Sequence, residues 1–183
     1  MFTEQFDNYA CFGDTIACEV DGFRVVATIV ADNDSEAPWE SEDGHGPVSD
    51  WTNRPKSPGE RVLCEDREYR RYYDVQEAMA IAKRDGWGPS QGEDTPGQRA
   101  ARAVEADFQA LRAWCRDEWW YCGLVLSVYR AGVALDEHAA SLWRIDLNHP
   151  QGDNGYLTVV ANELLDEALD EGRKVFADLV ATA

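Results

Sequence analysis

Read as a pattern of apolar and polar positions, the chain opens with two strands. Thr15 to Val20 and Phe23 to Val30 are rich in β-branched and apolar residues, and Asp21-Gly22 between them is a pair that accepts the positive φ angles of a tight hairpin turn. From Ala31 to Glu60 neither the strand nor the helix period survives. Acids, glycines and the prolines Pro38, Pro47, Pro55 and Pro58 predict a long surface loop over about 31–60. Tyr69 to Tyr73 predicts a short strand, after which Asp74 and Glu77 form a reciprocal capping pair opening a helix through Met79 and Ile81 to Lys83, closed by Asp85-Gly86. A second Gly/Pro loop covers about 86–96. Thr95, Pro96 and Gln98 then supply an N-cap, a first-turn proline and a capping-box acceptor. The helix they start spans 97–118, with Val104, Phe108, Leu111 and Cys115 on one face and Trp114 and Trp119 beside it. Tyr121 to Tyr129 and Leu142 to Leu147 read as a pair of strands, interrupted near Arg130-Ala131-Gly132. After Asp153-Asn154-Gly155 a last helix runs from about Tyr156 to Val180.

Strand groups separated by helix groups predict an α+β fold: an antiparallel sheet built from the N-terminal hairpin and the later hairpin, packed mainly on one face by about three helices. A length of 183 residues suits a single domain over 1–183. No stretch reaches the ~20 apolar residues a membrane span needs, and no basic start with an apolar run marks an export signal. Five cysteines, Cys11, Cys18, Cys64, Cys115 and Cys122, form no C-x-x-C pair and suggest no disulfide framework. A reducing cytoplasm fits that count, with the thiols acting as small buried hydrophobes.

Charge narrows the plausible partners. The chain carries 35 Asp and Glu against 17 Lys and Arg, a net charge of −18. Residues 1–50 hold 12 acids and one base, 51–102 hold 9 acids and 10 bases, and 103–183 hold 14 acids and 6 bases. Such a field repels nucleic acid and anionic membrane and steers the protein toward basic surfaces. Arg67, Arg70 and Arg71 interleave with Tyr69, Tyr72 and Tyr73, the chemistry of single-strand binding. The acidic field opposes that use, and pairing with nearby acids accounts for the bases.

On the last helix Glu163, Asp166, Glu167, Asp170 and Glu171 fall at i, i+3, i+4, i+7 and i+8 and make one continuous stripe. Leu164, Leu165, Ala168, Leu169, Val175, Phe176 and Leu179 take the other side. No base stands within the stripe, and its like-charged i,i+4 pairs together cost about 1 kcal/mol. Carboxylates one turn apart, ~6 Å along the axis, present a row of negative charge much as a phosphate backbone does. In the loop, Asp32, Asp34, Glu36, Glu40, Glu42 and Asp43 add a second acidic block with His45 as its sole partly basic neighbour. Its spacing resembles a calcium loop, but Ala37 stands where the turn requires Gly and Asp43 where a bidentate Glu is needed. A solvated loop or an interaction surface fits better, and no metal or cofactor is expected. His45, His138 and His149 lie apart, and no P-loop, G-x-S-x-G or G-x-G-x-x-G occurs. Asp117 and Glu118, beside Trp119 and Trp120, point in different directions at a helix end and make a poor carboxylate pair. No catalytic residues are predicted.

Tyr72-Tyr73-Asp74 before a helix ending Asp85-Gly86-Trp87, Ala113-Trp114 with Asp117, Trp119, Tyr121 and Gly123, Ser141-Leu142-Trp143, and Tyr156-Leu157 before Val160-Ala161-Asn162-Glu163-Leu164 carry a resemblance. Over about residue 70 to the C-terminus the chain resembles a group of small proteins encoded by phages, prophages and plasmids of proteobacteria. The resemblance implies a mobile-element setting, in which accessory proteins modulate host defence as antirestriction or anti-CRISPR factors, some of them acidic DNA mimics. The expectation is a non-enzymatic protein of the bacterial cytoplasm that meets a basic surface of a host nucleic-acid-binding or defence protein through Glu163–Glu171 and the loop acids. Two alternatives stand beside it: an interaction module whose acidity serves solubility and whose surface uses Trp39, Trp51 or Trp87, and an enzyme with a divalent metal held by the loop acids.

Overall fold

A computed structural model describes residues 1–41, 44–90, 92 and 94–182. Its elements are β1 (Thr15–Val20), β2 (Phe23–Ala31), α1 (Pro38–Ser41), β3 (Glu60–Asp66), β4 (Tyr69–Asp74), α2 (Val75–Asp85), α3 (Pro96–Trp114), β5 (Trp120–Arg130), β6 (Val133–Leu147) and α4 (Gly155–Ala181). The class is α+β, as the pattern predicts. Where the sequence reads as one domain, contacts gather into two compact units: Met1–Ser35 with Trp119–Ala183, and Glu36–Glu118. The helices divide accordingly, with α4 on the larger sheet and α2 and α3 beside the smaller one.

The first unit is a four-stranded antiparallel sheet in the order β1-β2-β5-β6. Asp21 at φ 52° and Gly22 at φ 76° turn β1 into β2, and Ala131 at φ 50° with Gly132 at φ 80° turn β5 into β6. In both cases two consecutive positive φ angles match the twist of the flanking strands. Between the hairpins, β2 pairs with β5 from Phe23↔Arg130 to Ala31↔Cys122. Val25, Ala27, Ile29, Leu124, Leu126 and Val128 point to one face and are fully buried there with Leu157, Ala161, Leu165, Ala168 and Leu169 of α4. At Gly172 the helix comes so close that a Cβ would lie 2.5 Å from a Val128 methyl. The N-terminal segment docks on α4 through buried Phe2 and Phe6, whose N–H groups donate to Asn162 Oδ1 (2.8 Å) and Thr158 Oγ1 (3.2 Å). Asn154, buried just before α4, accepts from Asn148 N and donates to the carbonyls of Asp7 and Asn8. β6 starts at Val133 rather than Leu142 because its first half is exposed and bulged against β5, which erases the alternation.

The second unit packs the β3–β4 hairpin on α2 and α3. Leu63, Tyr73, Ala78, Ala82, Ala100, Val104, Phe108 and Leu111 form its core. Both helices start at the predicted caps, but α3 ends at Trp114 rather than at 118. Asp74 accepts from Glu77 N, one half of the expected reciprocal pair, and Thr95 and Gln98 complete a capping box, while Gly86 closes α2 at φ 71°. β3 lay hidden in the sequence because Leu63 alone among its residues is fully buried. The irregular segment before it follows β4: Ser49 N donates to Tyr72 O, Thr52 and Arg70 exchange both backbone bonds, and Asp74 N donates to Pro47 O. The open edge of β4 is thereby covered.

The cysteine spacing predicted no disulfide, yet Cys64 in β3 is bonded to Cys115 at the end of α3, with Cα atoms 5.8 Å apart. Residues 51 positions apart in sequence leave no local signal. A closed loop of that length stabilises by about 4 kcal/mol in the chain-entropy account. Cys11 is exposed rather than buried among apolar neighbours. The inference of a reducing compartment from cysteine spacing therefore loses its premise.

Two outcomes test this packing. Gly172→Val should destabilise the first unit by about 1–3 kcal/mol through overpacking against Val128, read as a lower urea midpoint with an unchanged slope. In the second unit the Arg54 guanidinium, helped by the Ser57 N–H, draws the Glu60 carboxyl down to about 2. Because this group is more acidic folded than unfolded, its contribution is complete above pH about 4.5 and is lost as pH falls toward 2. Glu60→Gln should flatten that part of the stability–pH curve, measured by urea unfolding at stepped pH.

Candidate acidic binding surface

α4 is positioned by its apolar face, so its polar face is fixed by subtraction. With Leu165, Ala168 and Leu169 buried, Glu163, Asp166, Glu167 and Asp170 stand exposed and Glu171 is half-buried. The five predicted stripe residues thus share one surface. They do not share one electrostatic environment. Arg173 reaches Asp170 at 3.0 Å and, across the sheet end, Asp21 of the β1–β2 turn at 3.0 Å, and Lys174 reaches Glu171 at 2.7 Å. The bases lie just beyond the stripe, at i+3, and leave Glu163, Asp166 and Glu167 without ion pairs among the described residues. The core side also ends earlier than predicted: from Ala177 onward α4 is exposed throughout, Leu179 included.

The loop acids scatter. Asp32 accepts the N–H groups of Asp34 and Ser35 on one oxygen and the Ser35 hydroxyl and Arg144 N–H on the other. Partial burial works against its charge, but these donors outweigh it and hold the carboxyl below its ordinary range. Asp32 is therefore a brace between the end of β2 and β6. Asp34 is exposed beside it. Glu36 and Glu40 belong to the other unit, and Glu40 lies 3.7 Å from Arg71. Glu42 and Asp43 lie outside the described residues. Among the described residues no three His, Cys, Asp or Glu side chains converge as metal ligands.

By sequence count the first unit carries 17 acids against five bases, and the second 18 against 12. The second unit spends its bases on its acids: Arg54 pairs Glu60, Arg61 pairs Glu105, Arg70 pairs Glu65 and Arg102 pairs Asp94. The Arg–Tyr segment is tied up in the same way. Arg70 bonds Glu65, and Arg71 donates to Ser49 O.

One cluster escaped the sequence reading. Asp107, nearly buried on α3, accepts from Tyr73 OH (2.7 Å) and Gly46 N (2.8 Å), with His45 Nδ1 at 2.6 Å. Burial, reinforced by the Asp107 charge, pushes the Tyr73 hydroxyl upward and keeps it a donor. With three donors on one carboxylate, the cluster is a clip for residues 45–46. No motif could have revealed it, since its members come from a loop, a strand and a helix.

The chain matches no family model, no curated protein and no solved structure. No helix among the described residues is long and apolar enough to cross a membrane.

Thiol chemistry can be checked directly. Burial pushes the Cys122 thiol up to about 12, with Asp146 and Asp32 adding to it, whereas Cys11 is exposed. Iodoacetamide at pH 8 should label Cys11 within minutes and leave Cys122 unmodified until the protein is unfolded, as read by peptide mass mapping.

Proposed function

We propose that this protein acts by binding rather than by turnover, presenting the acidic face of α4 to a basic surface of a host nucleic-acid-handling or defence protein. The observation that carries this reading is the exposed group Glu163, Asp166 and Glu167, held within one helical turn on a helix anchored along its other face. Three carboxylates without ion pairs among the described residues, on a rigid support, need no reorganisation to meet arginines and lysines that otherwise hold phosphates. The excess of 17 acids over five bases in the same unit extends the attraction beyond contact distance. The resemblance to mobile-element proteins points to targets of the antirestriction or anti-CRISPR kind, with the helix standing in for a short stretch of DNA backbone. The compartment proposed is the bacterial cytoplasm, where such targets work.

The test is competition. Titrated into a bacterial defence nuclease carrying fluorescent duplex DNA, the protein should displace the DNA. The triple variant Glu163→Lys/Asp166→Lys/Glu167→Lys should do so at least about ten-fold less well at 50 mM salt. The gap should close near 1 M salt, where charges are screened within about 3 Å. Equal competition by both proteins at low salt would remove the reading.

A further inference from the structure

The second unit carries a cleft of about 490 Å³ lined by Ala37, Trp39 and Glu40, by Trp51, and by residues of β3, β4 and the end of α3. Three indoles line it. Trp39 and Trp114 meet edge to face with centroids 5.2 Å apart, and Trp51 is largely exposed. The Cys64–Cys115 bond lines the cleft and fixes β3 against α3. Glu65 and Asp66 add carboxylates from the end of β3. Asp66 makes no ion pair among the described residues, and Glu40 and Arg71 complete the charged part of the lining.

We propose that this cleft binds an arginine side chain of a basic polypeptide. Three observations point the same way. The protein already shows that its indoles accept a guanidinium, because Arg71 lies 5.4 Å from the Trp39 centroid and 5.3 Å from that of Trp51. Glu40 lies 3.7 Å from that guanidinium, and Trp114, the exposed Trp51 and Asp66 line the same cleft toward a second cation, for which indole is the best ring. A cleft with low-dielectric walls in a chain of net charge −18 also concentrates cations.

This inference rests on the reading that the partner is basic, but it uses a different surface from α4, so the two fail separately. The probe is a blocked pentapeptide of alternating glycine and arginine, compared with the same peptide containing citrulline, which keeps the shape and removes the charge. Binding is followed in the intact protein by the indole N–H signals of Trp39, Trp51 and Trp114 in ¹H–¹⁵N spectra. The arginine peptide should shift these signals saturably and bind at least about ten-fold more tightly than the citrulline peptide. Trp51→Ala, at an exposed position that should leave the fold intact, should weaken binding at least about ten-fold, and Asp66→Asn by a smaller factor. Glu163→Gln/Asp166→Asn/Glu167→Gln should leave the shifts unchanged. The proposal is overturned if the three signals do not move, if citrulline binds equally well and marks a site for neutral hydrogen-bonding ligands, or if the α4 variant abolishes the shifts and reduces them to general charge attraction.

Discussion

The pairing of β2 with β5 is the constraint on which the larger unit depends. β1 reaches β2, and β6 reaches β5, through two-residue turns that need no help from the rest of the chain. Only the register from Phe23↔Arg130 to Ala31↔Cys122 joins these hairpins into one sheet, and between its strands lies the whole second unit. Closing so long a loop costs entropy, though the cost grows slowly with length. The return is burial. Once β2 and β5 are side by side, Val25, Ala27, Ile29, Leu124, Leu126 and Val128 form a continuous apolar face for α4. Each fully buried aliphatic side chain contributes about 1.5–3 kcal/mol by area. The Gly172 contact then sets how closely the helix can lie on that face.

The second unit solves a different problem. Its hairpin is short and its core small, so polar and covalent ties supplement packing. The Asp107 clip holds residues 45–46, backbone bonds lay residues 47–52 along β4, and the Cys64–Cys115 bond ties β3 to α3. The Arg61 guanidinium, 3.5 Å from the Phe108 centroid, covers the core while pairing with Glu105. Here bases are structural parts. In the larger unit they are scarce, and that difference, more than total charge, decides where negative surface remains.

What the sequence revealed was local. Asp21-Gly22, the Asp74 cap, the Thr95–Gln98 capping box and the bounds of α4 depend on residues within a turn or two, and each is found where the pattern placed it. The periodicity of α4 likewise placed all five stripe acids on one surface. What stayed hidden was tertiary. β3 takes its identity from β4 rather than from its own alternation. Cys64 and Cys115 gave no spacing cue, and the acids of 31–50 formed a block by composition only. In the fold Asp32 became a brace and Glu40 a partner of Arg71, in separate units. Trp39, Trp51 and Trp114 were visible as aromatic residues, but their convergence required β3, β4 and α3 together.

The acidic stripe can now be weighed against the fold that bears it. Its like-charge cost of about 1 kcal/mol is small beside the burial of Leu157, Leu165 and Leu169 on the opposite side of the helix, so stability neither forbids these acids nor explains them. Their compensation is uneven in an informative way. Beside Asp170 and Glu171 the chain places Arg173, which also reaches Asp21, and Lys174, and surface pairs of this kind contribute about 0–1 kcal/mol. One turn earlier, Glu163, Asp166 and Glu167 have no base within ion-pair distance among the described residues. Bases sit at the C-terminal end of the stripe, and the charge left over lies on the exposed turn before it. A surface with that history is available to a partner without any structural tie having to break first.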